Sequence, residues 1–289
     1  MSTIKNLTTA GLAASALALG LTTSTAMAQE EGPAINTGAI SLEASIDFTH
    51  AYFYRGIAQE NSGFIIQPGL EVGIALYEND SMAVSGYVGT WNSFHTNDSA
   101  TGGDPWYEQD VYVGLTFDIP AGVSIDLAYV NLYAPNAGAS FAEEINVTVS
   151  FDDSELLGDL ALNPYVLMSF EIDGASDGDG DSGIYLEIGT DFALEVLQSE
   201  DYPITVSVPV AVGFGVSDYY GGRDGLGFVS VAVVGETPLS FIPAEYGEWS
   251  ASAGLELLFM TMRANDLGAG VIGSSDLQPI LKAGISLSY

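Results

Sequence analysis

The 289-residue chain has no cysteine, five basic residues and two histidines. No cysteine means no disulfide framework and no thiol chemistry. Five Lys and Arg against 38 Asp and Glu leave a formal net charge of -33. So few cations cannot neutralise phosphates, which excludes nucleic acid as a partner. Hydrolysis needs a base beside a nucleophile, and only His50 and His95 are available. Ser93 and His95 are close in sequence but read as loop residues with no orienting acid, so no enzyme is expected. Beyond Gln29 the chain also lacks any run of about 20 apolar residues, the length a spanning helix needs. Yet mean hydropathy is +0.27, too apolar for a disordered acidic chain.

The first residues set a compartment. Lys5, an apolar run from Ala10 to Leu21, and Ala26-Met27-Ala28 before Gln29 form a charged start, a short hydrophobic stretch and an A-x-A cleavage site. Residues 1–28 therefore read as a secretory signal peptide, and residues 29–38 as a periplasmic N-terminal segment. Its removal leaves Arg55, Arg223, Arg263 and Lys282 as the basic residues.

From Ala39 to Tyr289 the pattern is period two. In "AISLEASIDFTHAYFYRG" the apolar face is Ile40, Leu42, Ala44, Ile46, Phe48, Tyr52 and Tyr54, and the polar face carries Glu43, Asp47 and Arg55. "WYEQDVYVGLTFDIP" sets Val111, Val113, Leu115 and Phe117 against Glu108, Asp110, Tyr112, Gly114 and Asp118. Such alternation marks half-buried strands. About twelve start near residues 39, 64, 82, 106, 122, 141, 160, 183, 203, 226, 247 and 277. An even count with short turns ("YENDS", "DIPAG") alternating with longer Gly- and Asp-rich links predicts an all-β, transmembrane antiparallel barrel spanning residues 39–289. Aromatics gather at strand ends, as interfacial belts require. Tyr52, Tyr54, Trp91, Phe94, Trp106, Tyr107 and Tyr133 are expected at the outer rim, and Tyr77, Phe117, Phe151, Phe241, Tyr246 and Trp249 at the inner one.

A secreted β-sandwich also alternates, but its polar face meets bulk water, where Lys and Arg are welcome. Here the polar-face charges are nearly all carboxylates, with Gly, Ala and Ser between them, which suits the inside of a barrel with an open lumen. The final strand puts Leu281, Ala283, Ile285, Leu287 and Tyr289 on one face. It must pair with the first strand to remove both edges. A terminal aromatic with apolar residues at alternate positions resembles the signal read by the assembly machinery of bacterial outer membranes.

A narrower resemblance lies in "SIDFTHAYFYRGIAQENSGFIIQPGLEVGI". Through Tyr52, Tyr54, Arg55, Gly56, Gln59, Gln67, Pro68 and Gly69 it is similar to the opening of the TorF-type putative porins. It departs from them at Thr49-His50-Ala51, where that family shows a Ser-Asp-Tyr step. The resemblance implies a channel without naming a solute.

Taken by strand spacing and tilt, twelve strands give a backbone diameter of about 24 Å and a passage of at most about 10 Å. The expected pore lining is Glu43, Asp47, Arg55, Glu71, Glu108, Asp110, Asp118, Asp126, Glu144, Glu171, Glu187, Asp191 and Glu256. Arg55 is expected either to pair with carboxylates of its own strand and the next, since an unpaired charge near a low-dielectric wall is costly, or to stand at the rim in water. Carboxylates in a narrow pore favour cations, so the expected function is passive diffusion of small hydrophilic solutes across an outer-membrane lipid bilayer. The alternative is a non-conducting barrel for ligand binding or adhesion through its acidic loops. "SDGDGDSG" places Asp177, Asp179 and Asp181 at alternate positions, where they would hold Ca²⁺ or simply form a solvated loop. No other cofactor is expected. "GGRDGLG" is Gly-rich, but no helix follows to make a phosphate cradle.

Overall fold

The computed structural model describes residues 38–61, 63–96, 105–177, 182–199, 203–221, 223–261 and 276–289. The expected signal peptide, residues 29–37 of the N-terminal segment, Asp179 and Asp181 lie outside them. Twelve long strands make one closed antiparallel barrel. They are β1 (Ile40–Thr49), β4 (Ile65–Asn79), β5 (Met82–His95), β6 (Trp106–Ile119), β7 (Val123–Ala134), β8 (Ala139–Phe151), β9 (Tyr165–Gly174), β10 (Ile184–Leu197), β11 (Ile204–Ser217), β12 (Gly225–Pro238), β13 (Glu248–Met260) and β14 (Leu277–Ser288). Two further short strands, β2 (Tyr52–Tyr54) and β3 (Ile57–Glu60), pair only with each other. No helix among the described residues is long and apolar enough to cross a membrane; this chain builds its wall from strands.

Closure is made by β1, which pairs with β4 on one side and β14 on the other, in register from Glu43↔Ser288 to Thr49↔Lys282. The Tyr289 amide donates to Leu42 O (2.8 Å) and the Leu42 amide to Tyr289 O (2.7 Å), which extends the ladder to the last residue. Closure of the ladder leaves the sheet no open edge, the condition for a sheet in lipid. The two faces follow the period-two pattern. On β6, Val111, Val113 and Leu115 are exposed on the outside, while Glu108, Asp110, Tyr112 and Thr116 are buried inside. Leu281, Ala283, Ile285 and Tyr289 likewise face outward, with Leu287 half-exposed beside them.

Both ends of the barrel chain lie at one end of the cylinder, here the terminal end; the connections β1–β4, β5–β6, β7–β8, β9–β10, β11–β12 and β13–β14 lie at the other, the loop end. Connection length does not alternate strictly. The β7–β8 connection at the loop end is only four residues, 135–138. At the terminal end the β8–β9 link is long and holds a helical turn, Ser154–Leu157, followed by a 3-10 turn, Gly158–Leu160. The Asp153 carboxylate pins that link by accepting from the Leu162 and Asn163 amides (2.8 and 3.0 Å). The strand expected near residue 160 therefore begins at Tyr165.

The inward glycines do not keep the lumen open. A Cβ on Gly89 would strike the ring of Tyr112, one on Gly114 the ring of Tyr87, and one on Gly189 the ring of Tyr165. Each glycine leaves a flat patch of wall on which the tyrosine of the neighbouring strand lies down. The ring thereby buries its face while its hydroxyl stays free to bond a partner.

Candidate functional site

The first strand does not run through the Tyr52–Arg55 segment as its alternation suggests. It ends at Thr49, whose hydroxyl turns back onto the Ala51 carbonyl (2.9 Å). The chain then folds into the lumen as the β2–β3 hairpin. Arg55 and Gly56 form its two-residue turn, with Tyr54 opposite Ile57. Both turn residues have positive φ, 48° and 81°, the type I′ geometry that matches hairpin twist. Gly56 takes it freely; Arg55 does so under strain that surrounding contacts must hold.

Those contacts are extensive. The Arg55 guanidinium meets Glu144 of β8 in a two-pronged ion pair, Nη1–Oε1 and Nη2–Oε2 both 2.9 Å, with side-chain exposures of 1 % and 0 %. Nη1 also donates to the Tyr219 hydroxyl (2.9 Å), and the Tyr220 hydroxyl donates to Arg55 O (2.9 Å). Tyr54 and Ser176 donate to the same Glu144 carboxylate (3.1–3.2 Å). The guanidinium carbon sits 4.5 Å from the Tyr185 ring centroid and 4.8 Å from that of Tyr54. Tyr107 anchors the hairpin's second arm by donating to Gln59 (2.6 Å). Three loop-end segments thus converge on one ion pair, Arg55–Glu144: the hairpin, the β9–β10 connection through Ser176 and the β11–β12 connection through Tyr219.

The hairpin divides the interior. Ala51 and Ile57 join an apolar cluster with Tyr165, Tyr185, Tyr219 and Phe228, whereas Tyr52 and Tyr54 join one with Ile65, Trp91, Val130 and Leu132. The hairpin is thus a plug in the loop-end half of the lumen, its opposite faces packed on opposite walls.

The expected lining residues fall accordingly. Glu108, Asp110, Glu144, Glu171 and Glu187 are buried among the plug and its supports. Glu43, Asp47, Glu71, Asp118, Asp191 and Glu256 are half-exposed on inward positions, and Asp126 is buried between them and the plug. Arg55 is corrected in both place and partner: it lies on the hairpin turn and pairs with Glu144, not with Glu43, Asp47 or Glu71. Tyr52, Tyr54, Trp91 and Tyr107 are corrected too. They point into the lumen, and of the expected outer belt the Phe94–Trp106 stack (5.9 Å) faces outward, alongside Tyr133 and the Phe48–Phe64 stack. Aromatic character alone cannot tell a rim residue from a plug residue, because both want one apolar and one polar neighbour.

With almost no cations available, tyrosine satisfies the buried acids. Tyr87 donates to both oxygens of Asp126 (3.0 and 2.8 Å), joined by Thr116 (3.1 Å). Tyr165 donates to one oxygen of Glu187 (2.7 Å) and Tyr185 to the other. Glu171 accepts from the Ser176 and Gly183 amides (2.6 and 2.7 Å). Lys282 pairs with Glu256 (2.8 Å) in the half-exposed region. Sequence reasoning missed Tyr185, Tyr219 and Tyr220. A signal existed for Tyr185, which alternation places on the polar face beside Glu187; none existed for the two loop tyrosines.

Ser93 and His95 stand on β5 rather than in a loop, 2.9 Å apart (Oγ to Nε2) and buried, with Gln67 donating to the serine. The His95 Nδ1 atom has no partner to orient it, so the described residues complete no catalytic triad. Asp177 is buried and accepts from the Gly221 amide, which ties it to the plug support. No group of three or more Asp, Glu or His among the described residues is arranged to hold a metal ion.

A closed, twelve-stranded antiparallel barrel with an apolar outer wall and an acidic, plugged interior is the architecture of an outer-membrane β-barrel protein. A family model described as a bacterial protein of unknown function (Gcw_chp) matches residues 33–219, and the chain belongs to that family. No curated protein matches the sequence. Among solved structures, an outer membrane channel from Pseudomonas putida F1 is similar at a TM-score of 0.50 and 8 % identity, over 90 % of this chain and all (100 %) of that one. The NanC porin is similar at 0.46 and 10 %, over 85 % of this chain and 98 % of that one. LpxR from Salmonella typhimurium is similar at 0.45 and 12 %, over 86 % and 99 %. These likenesses concern the fold alone.

Proposed function

We propose that this protein is a plugged outer-membrane channel that passes small hydrophilic solutes, cations in preference to anions, when its hairpin leaves the lumen. One observation carries the reading. The terminal-end half of the interior is lined by half-exposed Glu43, Asp47, Glu71, Asp118 and Asp191, with Lys282 as its inward cation among the described residues. That acidic vestibule leads to a plug that pairs with no barrel strand and whose turn is held by the Arg55–Glu144 ion pair. Carboxylates around a narrow aqueous space concentrate cations and repel anions. The similarity of the Tyr52–Gly69 segment to TorF-type porins supports the same reading, and the first part of that segment, Tyr52 to Gln59, lies in the plug hairpin. The outward apolar residues of β14 with Tyr289 serve as the assembly signal in this scheme, and the loop end faces outside.

The test is planar-bilayer recording across a KCl gradient. The expected result is rare openings with a reversal potential favouring K⁺, and Glu43→Gln with Glu71→Gln moves that potential toward zero. A reversal potential favouring Cl⁻ refutes the cation preference. Absence of conductance even with the plug's ion pair removed refutes the channel, and the barrel is then a closed ligand-binding or adhesive one.

A further inference from the structure

Residues 152–164, which link β8 to β9 at the terminal end, form a loop closed on itself. The Phe151 amide donates to Pro164 O across its base (3.0 Å), and the Asp152 amide donates to Gly122 O in the β6–β7 turn beside it (2.8 Å). Buried Asp153 holds the two arms together by accepting from the Leu162 and Asn163 amides. Compact loops with pinned ends are frequently functional. This one is fixed at its base and apolar at its tip. Leu156 and Leu160 are 74 % and 63 % exposed, Leu157 and Leu162 47 % and 43 %, and no residue of the turn Ser154–Leu157 is buried. A segment that only joins two strands needs no leucine, and exposed apolar residues gathered in one place mark a surface that meets a partner.

The place of the loop in the wall says what that partner is. β9 pairs with β10 only from Ile184 to Gly189, although β10 runs on to Leu197. Past Gly189 the loop stands where β9 would: the Asp191 amide donates to Leu162 O (2.8 Å), and the Asn163 side chain donates to Asp191 O (3.2 Å). The loop therefore continues the wall at its terminal-end margin, next to exposed Val149 of β8, Val166 of β9 and Ile188 of β10. The apolar outside of such a barrel is covered by lipid. We infer that the β8–β9 loop sets its leucines into the terminal-end leaflet of the bilayer, with phospholipid acyl chains as their partner. Asp152, Glu155 and Asp159 are exposed on the same loop and stay in the water beside the head groups, the division an interfacial segment makes. A second copy of the chain fits this surface poorly. Across a two-fold contact the three acids would meet their own counterparts, and residues 152–164 hold no Lys or Arg to offset them. The anchor rests on the wall facing lipid and is independent of whether the barrel conducts.

The chain has no cysteine, so a single introduced one carries a nitroxide spin label to one chosen place. The whole barrel is folded into vesicles of phosphatidylcholine and phosphatidylethanolamine with Leu156→Cys, Leu160→Cys or Glu155→Cys, and with Val113→Cys as the wall reference. Oxygen concentrates among acyl chains and a nickel chelate in water, so relaxation of the label by each reads its depth. The expected result is that labels at 156 and 160 meet oxygen more than the chelate, as at 113 but nearer the surface, while the label at 155 shows the reverse order. Heat-dependent gel migration checks that each variant is folded, and Leu157→Cys gives the same reading if either leucine variant is not. Leucine-site labels that favour the chelate as the label at 155 does leave the loop in water and overturn the inference. Labels shielded from both reagents, or broadened by a second spin, place protein there and overturn it as well.

Discussion

Replacing Arg55 by alanine isolates what holds the plug. The substitution leaves the ladder untouched, because Arg55 belongs to no barrel strand, so its cost falls on docking of the hairpin. It strands Glu144, whose side chain is 0 % exposed. Removing one partner of a buried ion pair costs about 3–5 kcal/mol, because the remaining charge stays desolvated. Tyr54 and Ser176 still donate to Glu144, which places the expectation near the lower end, about 3 kcal/mol. At about 1.4 kcal/mol per factor of ten, the undocked fraction of the hairpin should rise roughly a hundredfold. Single-channel recording reads this as open probability, and heat-dependent gel migration confirms an intact barrel. Arg55→Met combined with Glu144→Leu removes both charges, and buried pairs replaced by apolar residues are often neutral in stability. The double variant should therefore close again. An Arg55→Ala barrel that opens no more often than wild type refutes the latch, and so does a double variant as open as the single one.

Other expectations follow from the same geometry. Gly89→Ala forces the Tyr112 ring off the wall and should cost about 1–3 kcal/mol in urea unfolding from micelles, while Gly235→Ala, where only a backbone oxygen lies within reach at 3.9 Å, should be nearly neutral. Tyr185→Phe leaves one oxygen of Glu187 without its donor and should cost about 1–3 kcal/mol in urea unfolding; no measurable loss would undo the argument. Val113, 52 % exposed near the middle of β6, should face lipid. Val113→Arg should then destabilise the barrel by about 2–4 kcal/mol, and a neutral result would mean that this face is not in the bilayer.

Local pattern determined the wall. Alternation of Val, Ile and Leu with Asp, Glu, Gly and Ser states which residues face outward, because side chains of a strand alternate by geometry whatever surrounds them. Most strand starts and the inward carboxylates were legible from that period, β9 excepted, which begins at Tyr165, and the even-numbered barrel from the period together with the turns. The same rule misplaced Tyr52, Tyr54 and Arg55, since it extends a strand wherever alternation continues. The break after Thr49 exists because folding the hairpin inward gives Arg55 a buried carboxylate 89 residues away in Glu144 and aromatic faces from Tyr185 and Tyr219. Those partners come from three different parts of the chain and meet only when the cylinder closes. The glycines teach the same lesson: as sequence they read as space, and only cross-strand register assigns each one the tyrosine that fills it. Which residues line a wall is a one-strand property; what occupies the space inside is a property of all twelve.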